Sequence, residues 1–134
     1  MRKTTKVLAL GQEDWIQMVH QPLPYWQKNE FAGVHNFWAL CALPQSVLAD
    51  VAVVHHTFDQ DDLRYAAEYI RRRWPDAVIV IVGEQAKDLD DPLYDHRAND
   101  EISPEELVLL IETSVKARRQ SRKHARPVLS GARI

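Results

Sequence analysis

Val51-Ala52-Val53-Val54 and Ala77-Val78-Ile79-Val80-Ile81-Val82 stand on either side of one amphipathic segment, and together they decide the fold. Both runs are rich in β-branched residues, too short for helices, and apolar at every position rather than every second one. Strands of that kind are buried on both faces, as in a parallel sheet covered by helices. Between them Leu63, Ala66, Ala67, Ile70 and Trp74 recur with the spacing of one helix face. Asp59, Asp61 and Asp62 crowd the start of that helix and Arg71, Arg72 and Arg73 its end, the signs that the helix dipole favours. Pro75 stops it. Strand, helix, strand makes a right-handed crossover, and ligands of such sheets bind beyond the carboxyl ends of the strands. The chemistry is therefore expected just after Val54 and Val82, at His55-His56-Thr57 and Gly83-Glu84.

Working outward, Lys6 to Leu10 reads as a first strand ended by Gly11. Gln12 to His20 reads as a short helix with Trp15, Met18 and Val19 inward, broken by Pro22 and Pro24. Residues 21–49 carry the weakest pattern. Val34 to Phe37 suggests an edge strand, and Ala39 to Leu48 a helix interrupted by Pro44. After Gly83 an acidic stretch, Glu84 to Arg97, reads as loop or ragged helix, and Ala98 to Ile102 as a short fifth strand. Ser103-Pro104-Glu105-Glu106 is a capping box with proline at the first helical position. Leu107, Leu110, Ile111, Ser114 and Val115 give that last helix an inward face, which fades beyond Lys116 before Pro127 ends any helix.

Charge divides the chain in two. Residues 1–115 hold all 19 acidic residues and 10 of the 17 basic ones, a net charge of −9, and residues 116–134 carry +7 with no acid. The expected organisation is an α/β domain over 1–115 and a basic helical extension and tail over 116–134. No apolar stretch approaches the roughly 20 residues of a membrane-spanning helix. After Met1 to Lys6 only Val7 to Leu10 are apolar, too few for a signal peptide. The single cysteine, Cys41, fits a reducing, cytoplasmic setting.

Strands alternating with helices in 134 residues predict a flavodoxin-like doubly wound sheet of five parallel strands, order 2-1-3-4-5, in three layers. Asp50 to Val54, Ala67 to Val82, and Ala98-Asn99-Asp100-Glu101-Ile102-Ser103-Pro104-Glu105-Glu106-Leu107 carry a more specific likeness. From Lys6 to Val115 the chain resembles a response-regulator receiver domain, of the chemotaxis type used in two-component signalling. The resemblance implies phosphoryl transfer to an aspartate after the third strand, with magnesium held by an acidic pair after the first. It also implies a hydroxyl residue after the fourth strand and a lysine after the fifth. Here His55 stands at the phosphoacceptor position, Gly11-Gln12 at the acidic pair and Gly83 at the hydroxyl position, and no lysine follows the fifth strand. An imidazole cannot form an acyl phosphate and offers a hard cation no anionic oxygen. Glu13-Asp14 replaces the acidic pair only if the turn shifts by two residues.

Other signals carry little chemistry. Neighbours on a strand point to opposite faces, so His55 and His56 are expected not to share an ion, and His20, His35, His96 and His124 are scattered. Asp88, Asp90, Asp91 and Asp95 lack the glycine and alternation of a calcium loop. Without G-x-G-x-x-G or a Walker lysine, nucleotide binding has no motif. No metal and no cofactor are expected. Trp15 reads as core, whereas Trp26 and Trp38 read as core or as a partner patch. The basic residues Lys116, Arg118, Arg119, Arg122 and Lys123 read as a solvated helix end, as a docking surface for an acidic protein such as another copy, or, third, as a nucleic-acid contact. The last lacks any aromatic residue to stack.

The function expected is a non-enzymatic pseudo-receiver, a phosphorylation-independent protein–protein interaction module in bacterial signalling or regulation. Its partner is a protein not identified by sequence, and the resemblance offers homodimerisation through a fourth-helix, fifth-strand, fifth-helix face spanning Glu84 to Val115. The alternative is a small flavodoxin-like ligand-binding protein or enzyme using His55 or His56 at the strand ends for proton transfer.

Overall fold

The computed structural model describes residues 5–20, 30–84 and 93–132, with residues 20, 30 and 121–132 described as backbone only. In chain order the elements are β1 (Lys6–Leu10), α1 (Glu13–His20), β2 (Glu30–Val34), α2 (Phe37–Cys41), β3 (Val51–His55), α3 (Gln60–Arg73), β4 (Val78–Val82), β5 (His96–Ala98) and α4 (Pro104–Ala132). The strands form one sheet in the order β2-β1-β3-β4-β5, and every adjacent pair is parallel.

Both faces of the central strands are covered, which explains their continuous apolar runs. Leu8 and Leu10, Ala52 and Val54, and Ile79 and Ile81 face the layer of Leu40, Leu63, Ala66 and Ile70, supplied by α2 and α3. Val7 and Ala9, Val51 and Val53, and Val78, Val80 and Val82 face Trp15, Ile16, Val19, Leu107, Ile111 and Val115, supplied by α1 and α4. The alternation is the strand period of two, so a register slip by one residue would exchange the two cores.

The helix ends follow the local chemistry expected of them. Asp59 accepts from the Asp61 amide at 2.9 Å to cap α3. Ser103 Oγ accepts from the Glu106 amide at 3.1 Å, while the Ser103 amide donates to Glu106 Oε1 at 3.0 Å. Those two bonds close the capping box, and the bonds to Ser103 hold the Glu106 carboxyl below the usual carboxylate range.

Five local expectations are corrected. In α1 it is Ile16, not Met18, that turns inward beside Trp15 and Val19, and Met18 is 55% exposed. The edge strand β2 ends at Val34 instead of beginning there, because Asn36 takes its side chain to the Ala39 amide at 2.8 Å and caps α2. Only Phe37–Cys41 is helical in the expected Ala39–Leu48 region, and the following loop is pinned from α3. Arg73 donates to the carbonyls of Leu43 and Pro44, and Trp74 Nε1 donates to that of Val47 at 3.1 Å. The fifth strand lies at His96–Ala98, ahead of the expected Ala98–Ile102. Finally α4 runs past Val115 and through Pro127 to Ala132. Proline there removes one helical N–H without stopping the chain from staying helical. The acidic residues Asp88, Asp90 and Asp91, and Trp26, lie outside the described residues. Among the described residues no helix is long and apolar enough to cross a membrane.

Candidate functional site

Parallel strands bring the residues after β1, β3, β4 and β5 to one edge. Leu10 pairs with Val54, His55 with Val82, and Val82 with Ala98, so Gly11 and His55 are level with Val82 and Ala98, and Gly83 and Asn99 follow one residue beyond. The four positions singled out from sequence, Gly11, Gln12, His55 and Gly83, are thus assembled at this edge.

His55 is the centre of the group and is only 7% exposed. Its ring stacks on Trp15, with centroids 4.4 Å apart and planes 16° apart. Nδ1 lies 2.9 Å from Thr57 Oγ1, and the Thr57 amide donates to the same nitrogen at 3.3 Å. An amide can only donate, so Nδ1 holds a lone pair and the neutral ring carries its proton on Nε2. Gln12 completes the arrangement: its amide donates to Thr57 Oγ1 at 2.9 Å and its side chain to the Thr57 carbonyl at 3.2 Å. The approach of β1 requires glycine at position 11. A Cβ there would stand 2.9 Å from Trp15 Cε3, 3.1 Å from His55 Cβ and 3.1 Å from Thr57 Oγ1. Gly83 is required for another reason, its φ of 122°.

Burial pushes the His55 pKa down to about 4, helped by neighbouring His56 and opposed by Asp100. At neutral pH the group is an uncharged imidazole. The two histidine rings meet, with centroids 4.1 Å apart, against the expectation that they diverge. β3 ends at His55, so His56 is already in the turn and no longer obeys strand alternation. Among the described residues no set of three His, Cys, Asp or Glu side chains is arranged to hold a metal ion.

Beside this group, Gly83, Glu84, Arg97, Ala98, Asn99, Asp100 and Glu101 line a hollow of about 560 Å³ at the ends of β4 and β5. Three carboxylates face one guanidinium there, a balance that repels a phosphoryl group rather than neutralising it. Glu13 and Asp14 occupy the first turn of α1 and are exposed, leaving Gly11-Gln12 at the site itself.

The basic residues lie at the opposite end of the sheet. Arg118 donates to Asp95 Oδ1 at 2.8 Å and to the Asp76 carbonyl at 3.3 Å, and Arg119 stands 3.6 Å from Asp50 Oδ2. Arg118 and Arg119 are thus turned onto their own domain, while Lys116 is exposed. Nothing is described of the Arg122 and Lys123 side chains. The role of Asp95, read from sequence only as part of an acidic stretch, is structural. Asp95 also accepts from Arg71 at 2.9 Å and from the Ile79 amide at 2.8 Å, joining α3, β4 and α4 at one carboxylate.

No family model matches the sequence, and no curated protein matches it. Solved structures match the fold. The signal receiver domain of an HD domain-containing protein from Pseudomonas fluorescens aligns with a TM-score of 0.70 at 15% identity, covering 92% of this chain and 95% of that one. A CheY-like response regulator receiver domain protein from Methanospirillum hungatei aligns at 0.64 and 9% identity, covering 89% and 99%. This chain has the receiver fold. Another structure with the receiver fold, a response regulator from Burkholderia pseudomallei, contains a phosphorylated aspartic acid. It aligns at 0.64 and 15% identity, over 92% of this chain and 75% of that one. In the present receiver fold the residue closing β3 is His55, and β5 is followed by Asn99, Asp100 and Glu101 rather than by a lysine.

Proposed function

We propose that the protein is a pseudo-receiver, a signalling module that works by binding another protein and not by accepting a phosphoryl group. The receiver fold supports the signalling role. The observation that carries the rest is His55: a buried, neutral imidazole held by Thr57 and Trp15, with Glu84, Asp100 and Glu101 nearby where a transferred phosphoryl group would need positive charge. The same observation weighs against proton transfer at His55, since a base with a pKa of about 4 is weak and its Nδ1 is already engaged.

Incubation with acetyl phosphate and magnesium followed by intact-mass measurement tests this directly. The native protein is expected to gain no phosphoryl group, and His55→Asp is expected to gain none either. The new carboxylate would still face an acidic hollow and lack a magnesium-binding pair. A stoichiometric phosphoryl adduct on the native protein would overturn the reading.

A further inference from the structure

Two parts of this molecule complement each other but cannot meet within one copy. The first is an aromatic and acidic strip where α2 crosses α3. Trp38 is 85% exposed and Tyr65 61% exposed. Phe37, beside Trp38 in α2, packs against α3, its ring 6.4 Å from that of Tyr65 and 6.1 Å from that of Tyr69. Asp61 and Asp62 precede Tyr65 by four and three residues, which places them on the same side of α3. Exposed indole and phenol rings beside carboxylates make a surface suited to cations, which aromatic faces attract and carboxylates pair.

The second part is the end of α4. The contacts of Arg118 with Asp95 and of Arg119 with Asp50 fix residues 118 and 119 at the amino ends of the strands, in the layer shared with α1. The helix then continues for a further turn-rich stretch to Ala132, roughly 20 Å at the usual rise per residue. Its sequence there holds Arg122, Lys123 and Arg126 and no acidic residue. The aromatic strip lies across the sheet, in the other layer, near the carboxyl end of β3 where α3 begins. The extension leads away from the strip of its own molecule.

We infer that the basic end of α4 in one copy docks on the Trp38–Tyr65–Asp61–Asp62 strip of a second copy. This names the partner of the interaction module proposed above and rests on that reading. Charge favours it over nucleic acid: residues 1–115 carry −9, which repels phosphate backbones and attracts residues 120–134 of another copy, whose Arg122, Lys123, Arg126 and Arg133 carry +4. A single contact joins unlike surfaces and leaves one strip and one basic end free, so copies extend into chains or close into rings, the smallest being a reciprocal pair.

Sedimentation of the full chain at about 0.02 M and about 0.5 M salt reads the outcome, since such contacts weaken as the Debye length shortens. The native protein is expected to sediment as species larger than a monomer at low salt and as a monomer at high salt. Two full-length variants separate the halves: Trp38→Ala with Tyr65→Ala, and Arg122→Glu with Lys123→Glu and Arg126→Glu. Trp38 and Tyr65 are exposed, the three basic positions follow Arg119 along α4, and circular dichroism verifies that each variant folds. Each variant alone is expected to be monomeric. Mixed in equal amounts they should form a one-to-one complex and nothing longer, because one supplies the basic end and the other the strip. A native protein that stays monomeric at low salt, variants that still associate alone, or a mixture that forms no complex would each overturn the inference. So would a monomeric native protein that binds duplex DNA through Arg122, Lys123 and Arg126. Acetyl phosphate mass measurement is independent of all these results, so failure here and failure of the pseudo-receiver reading are distinguishable.

Discussion

Asp95→Ala is expected to destabilise the domain by about 2–4 kcal/mol, because it strips three partners at once. Arg71 and Arg118 lose the carboxylate they share at 2.9 and 2.8 Å, and the Ile79 amide loses its acceptor. All three side chains of the ion cluster are less than a third exposed, so solvent screens them only partly. Asp95→Asn retains an acceptor for the Ile79 amide but not the charge, and should fall between the native protein and the alanine variant. Chemical denaturation of the three proteins measures the effect. An alanine variant within about 0.5 kcal/mol of native, the range of an ordinary surface substitution, would show that the cluster contributes nothing. The same geometry ties the start of the 116–134 extension to the domain through Arg118 and Arg119. A cut after Val115 removes Arg118 and Arg119 and should lower the midpoint, whereas a cut after Gln120 should leave it nearly unchanged.

Acidification between about pH 6.5 and pH 4 is expected to cost stability through His55. Its pKa is about 4 in the folded protein against 6.5 for the free group. Within that window the unfolded chain binds a proton that the folded chain refuses, so stability rises with pH across it. Below the folded value both states are protonated and above the unfolded value neither is, so the slope vanishes outside the window. The full effect is at most about 3 kcal/mol, from the size of the shift. His55→Asn, which keeps an acceptor near Thr57 but cannot titrate, should lose this part of the slope while other groups retain theirs. Parallel denaturation curves at pH 7, 5.5 and 4.5 compare the two proteins. Equal slopes in native and variant would contradict the burial of a neutral His55.

What the sequence disclosed follows from where each element's determinants lie. β3, α3 and β4 were legible because their own residues specify them: strands apolar throughout, a helix with one apolar face and charges suited to its ends. The capping box at Ser103 was legible for the same reason. β5 was misplaced because only Ala98 of its three residues is buried, so an edge strand held by pairing leaves almost no apolar pattern. α2 was misread because its extent is set by the Asn36 cap and by a loop that Arg73 and Trp74 hold from another helix.

At the site, the identity and level of Gly11, Gln12, His55 and Gly83 could be read from strand ends alone. The state of His55 could not. Its neutrality depends on the Trp15 ring from α1 and on a turn that brings His56 back against it. The role of Asp95 was not legible because its partners lie 16, 23 and 24 residues away in sequence, beyond any local pattern.

Trp15 stacks directly on His55, and its fluorescence therefore reports on the position that would take a phosphoryl group. Titration of the native protein with magnesium and beryllofluoride, read at that tryptophan against a Trp15→Phe control, is the most direct measurement of whether this receiver fold has left phosphorylation behind. An emission unchanged through saturating beryllofluoride is the predicted result. A saturable, magnesium-dependent quenching that disappears in Trp15→Phe would contradict it.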